Sequence, residues 1–157
     1  MSRMSRVAGL VLILLFGLAS GDGRAQGPVT FGHGELDIQS AGGKHHFTIE
    51  LATRSDQQIQ GLMFRTSLAP NAGMLFLYPE DHDIQMWMKN TLIPLDMIFI
   101  RADGTILNIA ERAVPQSRTT IGSAGPARAV LEVNGGTAAR LGIKPGDRVV
   151  YPGLGAS

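Results

Sequence analysis

The sequence predicts a mainly β fold: a compact antiparallel β-sandwich or barrel-like domain with two short helices. Three observations predict it. Apolar and polar residues alternate in short runs, as half-buried strands require. Seven or eight such runs are separated by turn-forming Gly, Pro, Asn and Asp. Only two brief stretches carry helix signals, too few for the βαβ units of a parallel sheet. At 157 residues, 44% hydrophobic and 17% charged, the chain fits one globular domain rather than two.

The elements follow in order. Arg3 and Arg6 precede an uninterrupted apolar stretch from Val7 to Ala19, and Gly23 and Ala25 offer small residues before Gln26. The apolar stretch is short of the roughly 20 residues that span a bilayer, so residues 1–25 read as a secretory signal peptide. If it is retained, it is the one membrane contact expected. Residues 26–35 lack a periodic pattern and read as a flexible leader, followed by the β domain over 36–152 and a tail at 153–157. Leu36 and Ile38, then Phe47, Ile49 and Leu51, alternate with polar neighbours around a Gly42-Gly43 turn, which predicts a hairpin.

Ser55 and Gln58 have the spacing of a capping box, with Ile59, Leu62 and Met63 on one helical face behind it. Strand-like runs then cover 74–78, 85–89, 95–100 and 105–110, with Asp103-Gly104 as a two-residue hairpin turn. Residues 116–125 are rich in Ser, Thr and Gly and predict a long loop before a strand at 130–133. Thr137 to Leu141 predicts a short helix ended by Gly142, and Lys144 to Asp147 a turn into a strand at 148–151. The expected core includes Phe47, Ile49, Leu51, Leu62, Leu75, Met88, Leu95, Met97, Phe99, Ile106, Leu131, Val133 and Val149.

Composition removes several functions. The absence of cysteine excludes disulfides, thiolate metal sites, cysteine nucleophiles and a lipidated-cysteine anchor. Outside residues 1–25 the formal charge is −1, which leaves no basic footprint for nucleic acid. No spaced histidine pair or nucleophile elbow is present, so no residue is assigned a catalytic role and no cofactor is implied.

Five runs carry a resemblance: Gly61-Leu62-Met63-Phe64-Arg65, Gly73-Met74-Leu75-Phe76, Trp87-Met88-Lys89-Asn90-Thr91, Ile93-Pro94-Leu95-Asp96-Met97-Ile98-Phe99 and Val130-Leu131-Glu132. In order and spacing they resemble the DUF192 family of uncharacterised bacterial and archaeal proteins, over about Leu51 to Val150. The resemblance implies a compact, often exported β-rich domain and supplies no mechanism. The chain departs from the family at Ala129, where an aromatic is frequent, and at Gly135, where alanine is usual.

Candidate chemistry gathers around Trp87 to Asp96. If 85–89 and 95–100 pair as a hairpin, Lys89 can face Asp96 while Trp87 faces Ile98. That arrangement is either a structural clasp or a polar mouth of Arg65, Lys89, Asn90 and Asp96 beside the Trp87 wall, suited to a small polar ligand or a protein partner's terminus. The expected function is an exported, periplasmic or secreted, non-catalytic binding domain. The alternatives are a small enzyme using Lys89 or Asp96 as general acid or base, and soft-metal (copper) binding by Met63, Met74, Met86, Met88, Met97 and His82.

Overall fold

A computed structural model of the chain describes residues 27–155, so the signal segment expected at 1–25 lies outside the described residues. Seven strands and two helices follow one another as β1 (Gly32–Ser40), β2 (Gly43–Ala52), α1 (Ser55–Gln60), β3 (Ala72–Met86), β4 (Leu95–Ile100), β5 (Ile106–Ala113), β6 (Ile121–Asn134), α2 (Thr137–Leu141) and β7 (Arg148–Val150). They form one sheet in the order β5-β4-β6-β3-β2-β1-β7. The sheet curls into a half-barrel whose two edge strands touch at one end. There Thr105 bridges Arg148, and Ile106 N donates to Asp147 O at 2.8 Å.

The mainly β expectation holds, with one exception to antiparallel pairing: β2 and β3 run parallel, Ile49 opposite Gly73 and Leu51 opposite Leu75. A parallel pair needs a crossover, and residues 53–71, which contain α1, supply it. The β1–β2 hairpin forms around Gly42-Gly43 as expected. So does the Asp103-Gly104 turn between β4 and β5, with Gly104 at φ +86°, where an added Cβ would lie 2.6 Å from Val149 O.

Because the sheet is single and covered on both faces, the core divides in two. Leu36, Ile38, Phe47, Ile49, Leu75, Ile98, Leu131 and Val149 fill the concave side, closed at one end by Ala138 of α2 and by Ile143. Met74, Phe76, Ile84, Leu95, Met97, Phe99 and Val130 form a second cluster on the convex side under Leu62 and Met88. Every expected core residue is buried except Leu51, which is half-buried. The middle strands therefore bury both phases of their alternation, which is why β4 is apolar throughout apart from Asp96.

Several element boundaries differ from expectation. β1 begins at Gly32, inside the expected leader, because Gly32 already pairs with Leu51 and Thr30 O accepts a 2.7 Å bond from Gln57 Nε2. Leu154 of the expected tail is buried, and Gly155 N donates to Ala102 O at 2.7 Å. The residue that caps α1 is Gln57, not Gln58: its Oε1 accepts from Thr53 N and Arg54 N at 3.0 and 3.1 Å. Ile59, expected on the apolar stripe, points outward and is 71% exposed. The expected loop at 116–125 is strand from Ile121, where Ile121 and Gly122 pair with Met86 and Gln85.

The central β3–β6 contact depends on Gly73. A Cβ there would stand 2.7 Å from Glu132 O and 3.1 Å from both the Leu131 and Val133 side chains. Gly73→Ala is expected to cost about 1 to 3 kcal/mol through overpacking against backbone that has no room to shift, measured as a lower urea midpoint with an unchanged slope. An unchanged midpoint would show that the two strands separate freely.

Candidate functional site

Strand alternation explains how an acid comes to lie in the core. Along β6, Ala129, Leu131 and Val133 face the concave side, so Val130 and Glu132 face the convex side. Glu132 sits between its register partners Met74 of β3 and Met97 of β4 and is only 4% exposed. Among the described residues no group donates a hydrogen bond to its carboxyl. Burial alone pushes its pKa up to about 8, since an apolar surrounding disfavours the ionised form.

The carboxyl opens into a cavity of about 100 Å³ under α1. Tyr78, Gln85, Trp87, Lys89 and Thr91 line one side, and Gln58, Gly61, Leu62 and Met63 line the other. The Tyr78 hydroxyl is held above its ordinary pKa, first by burial and then by the Glu132 charge. At the rim Trp87 is 50% exposed, and Lys89 Nζ lies 5.2 Å from its ring centroid, within cation–π range. Two non-glycine residues in the left-handed region flank the opening, Phe64 at φ +64° and Asn90 at φ +55°, joined by a 2.9 Å bond from Phe64 N to Asn90 O. Such backbone is costly unless its surroundings impose it. Here it leaves Phe64 67% exposed beside the cleft.

The five expected site residues separate into two groups. Trp87 and Lys89 line the cavity. Asn90 supports it from behind, through its carbonyl and through an Nδ2 contact of 3.8 Å to Met63 Sδ. Arg65 turns away to make a bidentate pair with Glu50 of β2, at 2.8 and 2.7 Å.

Asp96 is fully buried and accepts from three backbone amides: Arg112 N and Gly136 N on Oδ1, and Ala138 N on Oδ2, at 2.8 to 2.9 Å. The expected Lys89–Asp96 hairpin does not form. β4 pairs with β5 and β6, while Gln85 and Met86 pair with the start of β6 and the chain leaves the sheet after Met86. Long-range pairing wins because β4, apolar on both faces apart from Asp96, is buried along its whole length when it lies between β5 and β6.

The methionines also divide. Met74, Met88 and Met97 are fully buried in the convex core, while His82 lies edge-on to Tyr78 at 4.7 Å. Among the described residues no cluster of three His, Cys, Asp or Glu side chains has metal-binding geometry.

Glu132 was missed as a site residue. Its signal was there to read: a single acid inside the apolar run Val130 to Val133 is an error of patterning unless it has a function.

Four of the five runs that carry the family resemblance contribute residues to this cleft, and the run Ile93 to Phe99 contributes none. Gly61 to Met63, Phe76, Trp87, Lys89, Thr91 and Glu132 all line it. Two solved structures are similar over most of the chain. One is the crystal structure of a candidate transcription regulator from Sinorhizobium meliloti 1021, 48% identical, covering 82% of this chain and 100% of that one with a TM-score of 0.78. The other is a protein of unknown function from Novosphingobium aromaticivorans DSM 12444, 50% identical, covering 76% of this chain and 85% of that one with a TM-score of 0.73. No curated protein matches the chain. The family profile of DUF192, described as "Uncharacterized ACR, COG1430", matches residues 37–151, well over half of the sequence, and the chain belongs to the DUF192 family.

Proposed function

We propose that this domain is an exported, non-catalytic binding module whose ligand site is the cleft over Glu132. One observation carries the reading: the fold buries a carboxyl without a hydrogen-bond donor and opens it to a small cavity with an exposed tryptophan at the rim. No side-chain oxygen or nitrogen among the described residues is both sealed from solvent and unpartnered, so the Glu132 oxygens are reached through the cavity, and a ligand that supplies donors there takes the place of solvent. Trp87, Lys89 and Glu132 form the site, with Asn90 holding the rim. Arg65 and Asp96 support the surrounding frame.

An enzyme reading has less behind it. Of its two candidate acid–base residues, Asp96 is consumed by three amides and Lys89 stands over an aromatic ring. The description of the Sinorhizobium relative raises DNA binding, but the charge of −1 outside residues 1–25 offers no phosphate footprint. The two helices among the described residues, of six and five residues, are too short to serve as recognition helices. Export rests on the charge and apolar pattern of residues 1–25, and N-terminal sequencing of the mature protein tests it.

The binding reading predicts that Trp87→Ala changes the melting temperature little, because a half-exposed side chain contributes modestly to the core, yet abolishes ligand-induced thermal shifts. The measurement is a thermal-shift screen of small amines, carboxylates, amino acids and short peptides on the wild type and the variant. A screen in which no compound raises the wild-type midpoint, or in which the variant keeps every shift, overturns the reading.

A further inference from the structure

We propose that the cleft takes a small zwitterion, with a primary ammonium group seated on Glu132 and an anionic end held by Lys89. The inference rests on the binding reading above and names the chemistry of its ligand.

Donors line the cavity beside Glu132, on Tyr78, Gln85, Trp87, Lys89 and Thr91, but among the described residues none of them reaches its carboxyl with a hydrogen bond. The charged and titratable groups that line the cavity with Glu132 are Tyr78 from β3 and Lys89 from the segment after it. The adjoining positions on β3 and β4 are Met74 and Met97, and α1 brings only the amides of Gln58 and Gln60. The Gln58 amide already donates to Ala52 O and Leu77 O at 3.3 and 3.2 Å. A ligand that enters the cavity can supply the donors that these neighbours do not give the carboxyl. An ammonium group carries three.

Size narrows the class. With liquid water occupying about 30 Å³ per molecule, a cavity of about 100 Å³ has room for a few heavy atoms. That suits an ammonium on a short stem better than a flat guanidinium with its five donors.

Lys89 sets the other end. The six ion pairs found among the described residues do not include it, and the Trp87 ring fixes its charge at the mouth. A cation there repels a ligand of net positive charge and attracts an anionic tail. The exposed face of Trp87 supplies an apolar wall for the stem between the two charged ends.

The proton balance follows. In the empty cavity near neutral pH the Glu132 carboxyl holds its proton, as its raised pKa of about 8 requires. An arriving ammonium keeps its own protons and favours the carboxylate. The carboxyl proton therefore passes to solvent, close to one per ligand bound near pH 7.

The test uses the purified full chain and three probes of similar size: β-alanine as zwitterion, ethylamine as cation and propionate as anion. Trp87 is the chain's single tryptophan, so its emission reports this cleft alone. Calorimetry in two buffers of different ionisation enthalpy counts the protons released. The expected result is a saturable emission change with β-alanine, nearly one proton released, and affinity lowered about tenfold or more in Glu132→Gln. Lys89→Gln is expected to weaken β-alanine while sparing ethylamine. Circular dichroism verifies that both variants are folded.

Propionate binding that is indifferent to Glu132→Gln overturns the ammonium assignment and leaves the cleft a binding site. β-Alanine binding without proton release, or with full affinity in Glu132→Gln, overturns it equally. Emission unchanged by all three probes overturns the zwitterion inference, and the binding reading falls separately if the wider thermal-shift screen is also empty.

Discussion

Glu132→Gln is expected to make the domain more stable than the wild type at alkaline pH and to remove most of a pH dependence that the wild type shows between about pH 4.5 and 8. The sign follows from where the proton sits. In the unfolded chain the carboxyl titrates at its ordinary value of 4.5, and in the folded domain burial raises it to about 8. Between those values unfolding releases a proton, so the folded state loses stability as pH rises. Below 4.5 the carboxyl is neutral in both states and contributes no penalty. Above 8 it is ionised in both, and the buried charge carries its full cost, up to about 5 kcal/mol at 1.36 kcal/mol per pH unit. A glutamine avoids the charge but leaves a polar amide with few partners, a loss of about 1 to 3 kcal/mol. The net gain expected at pH 9 is therefore about 2 to 4 kcal/mol, with little gain or a small loss at pH 5. Urea denaturation of both proteins at pH 5, 7 and 9 checks it. The difference between the two profiles isolates Glu132, since all other titrating groups are common to both. Parallel profiles would mean that the cavity hydrates the carboxylate well enough to keep it ionised.

Local physics made much of the fold legible. The β1–β2 and β4–β5 hairpins depend on adjacent alternating runs and on glycines that accept positive φ, and α2 ends at Gly142 in the left-handed conformation at φ +66°. What escaped was set by partners distant in the chain. Residues 121–125 look like loop because Ser, Thr and Gly favour turns, and they become strand only because Gln85 and Met86 lie beside them. The parallel β2–β3 pair follows from a crossover whose direction no short window contains. The same division holds at the site. Trp87 and Lys89 stand out by residue type, and both line the cleft. Glu132 stands out only once the phase of β6 is known, and its cavity needs α1, β3 and β6 assembled. Arg65 and Asp96 drew attention by charge alone, and the fold directs each charge to a different partner.

Asp96→Ala is expected to be among the most destabilising single substitutions in the domain, at about 3 to 5 kcal/mol, because one carboxylate satisfies three amides at once. The sequence places it where two irregularities meet. On β5, Ala113 pairs with Leu95 and Ala110 with Met97, so Glu111 and Arg112 bulge opposite Asp96 and Arg112 adopts φ +50°. The bulge takes Arg112 N out of the ladder, and Oδ1 accepts it at 2.8 Å. The same carboxylate accepts Gly136 N and Ala138 N, the amides that open α2, at 2.9 and 2.8 Å. Removing it orphans three donors and frees the helix that closes the concave core through Ala138. Against a total stability of about 5 to 15 kcal/mol for a domain of this size, the melting temperature should fall by about 10 °C or more. Asp96→Asn is expected to recover only part of the loss, since one amide oxygen accepts while the NH2 group faces backbone donors. Lys89→Ala, on the far side of the sheet, should cost under about 1 kcal/mol. The Lys89–Asp96 double mutant should be additive within about 0.5 kcal/mol, whereas an ion-pair clasp between them requires strong coupling. A loss below about 1 kcal/mol for Asp96→Ala, or coupling above that level, would show that the carboxylate does not hold the bulge and α2 together.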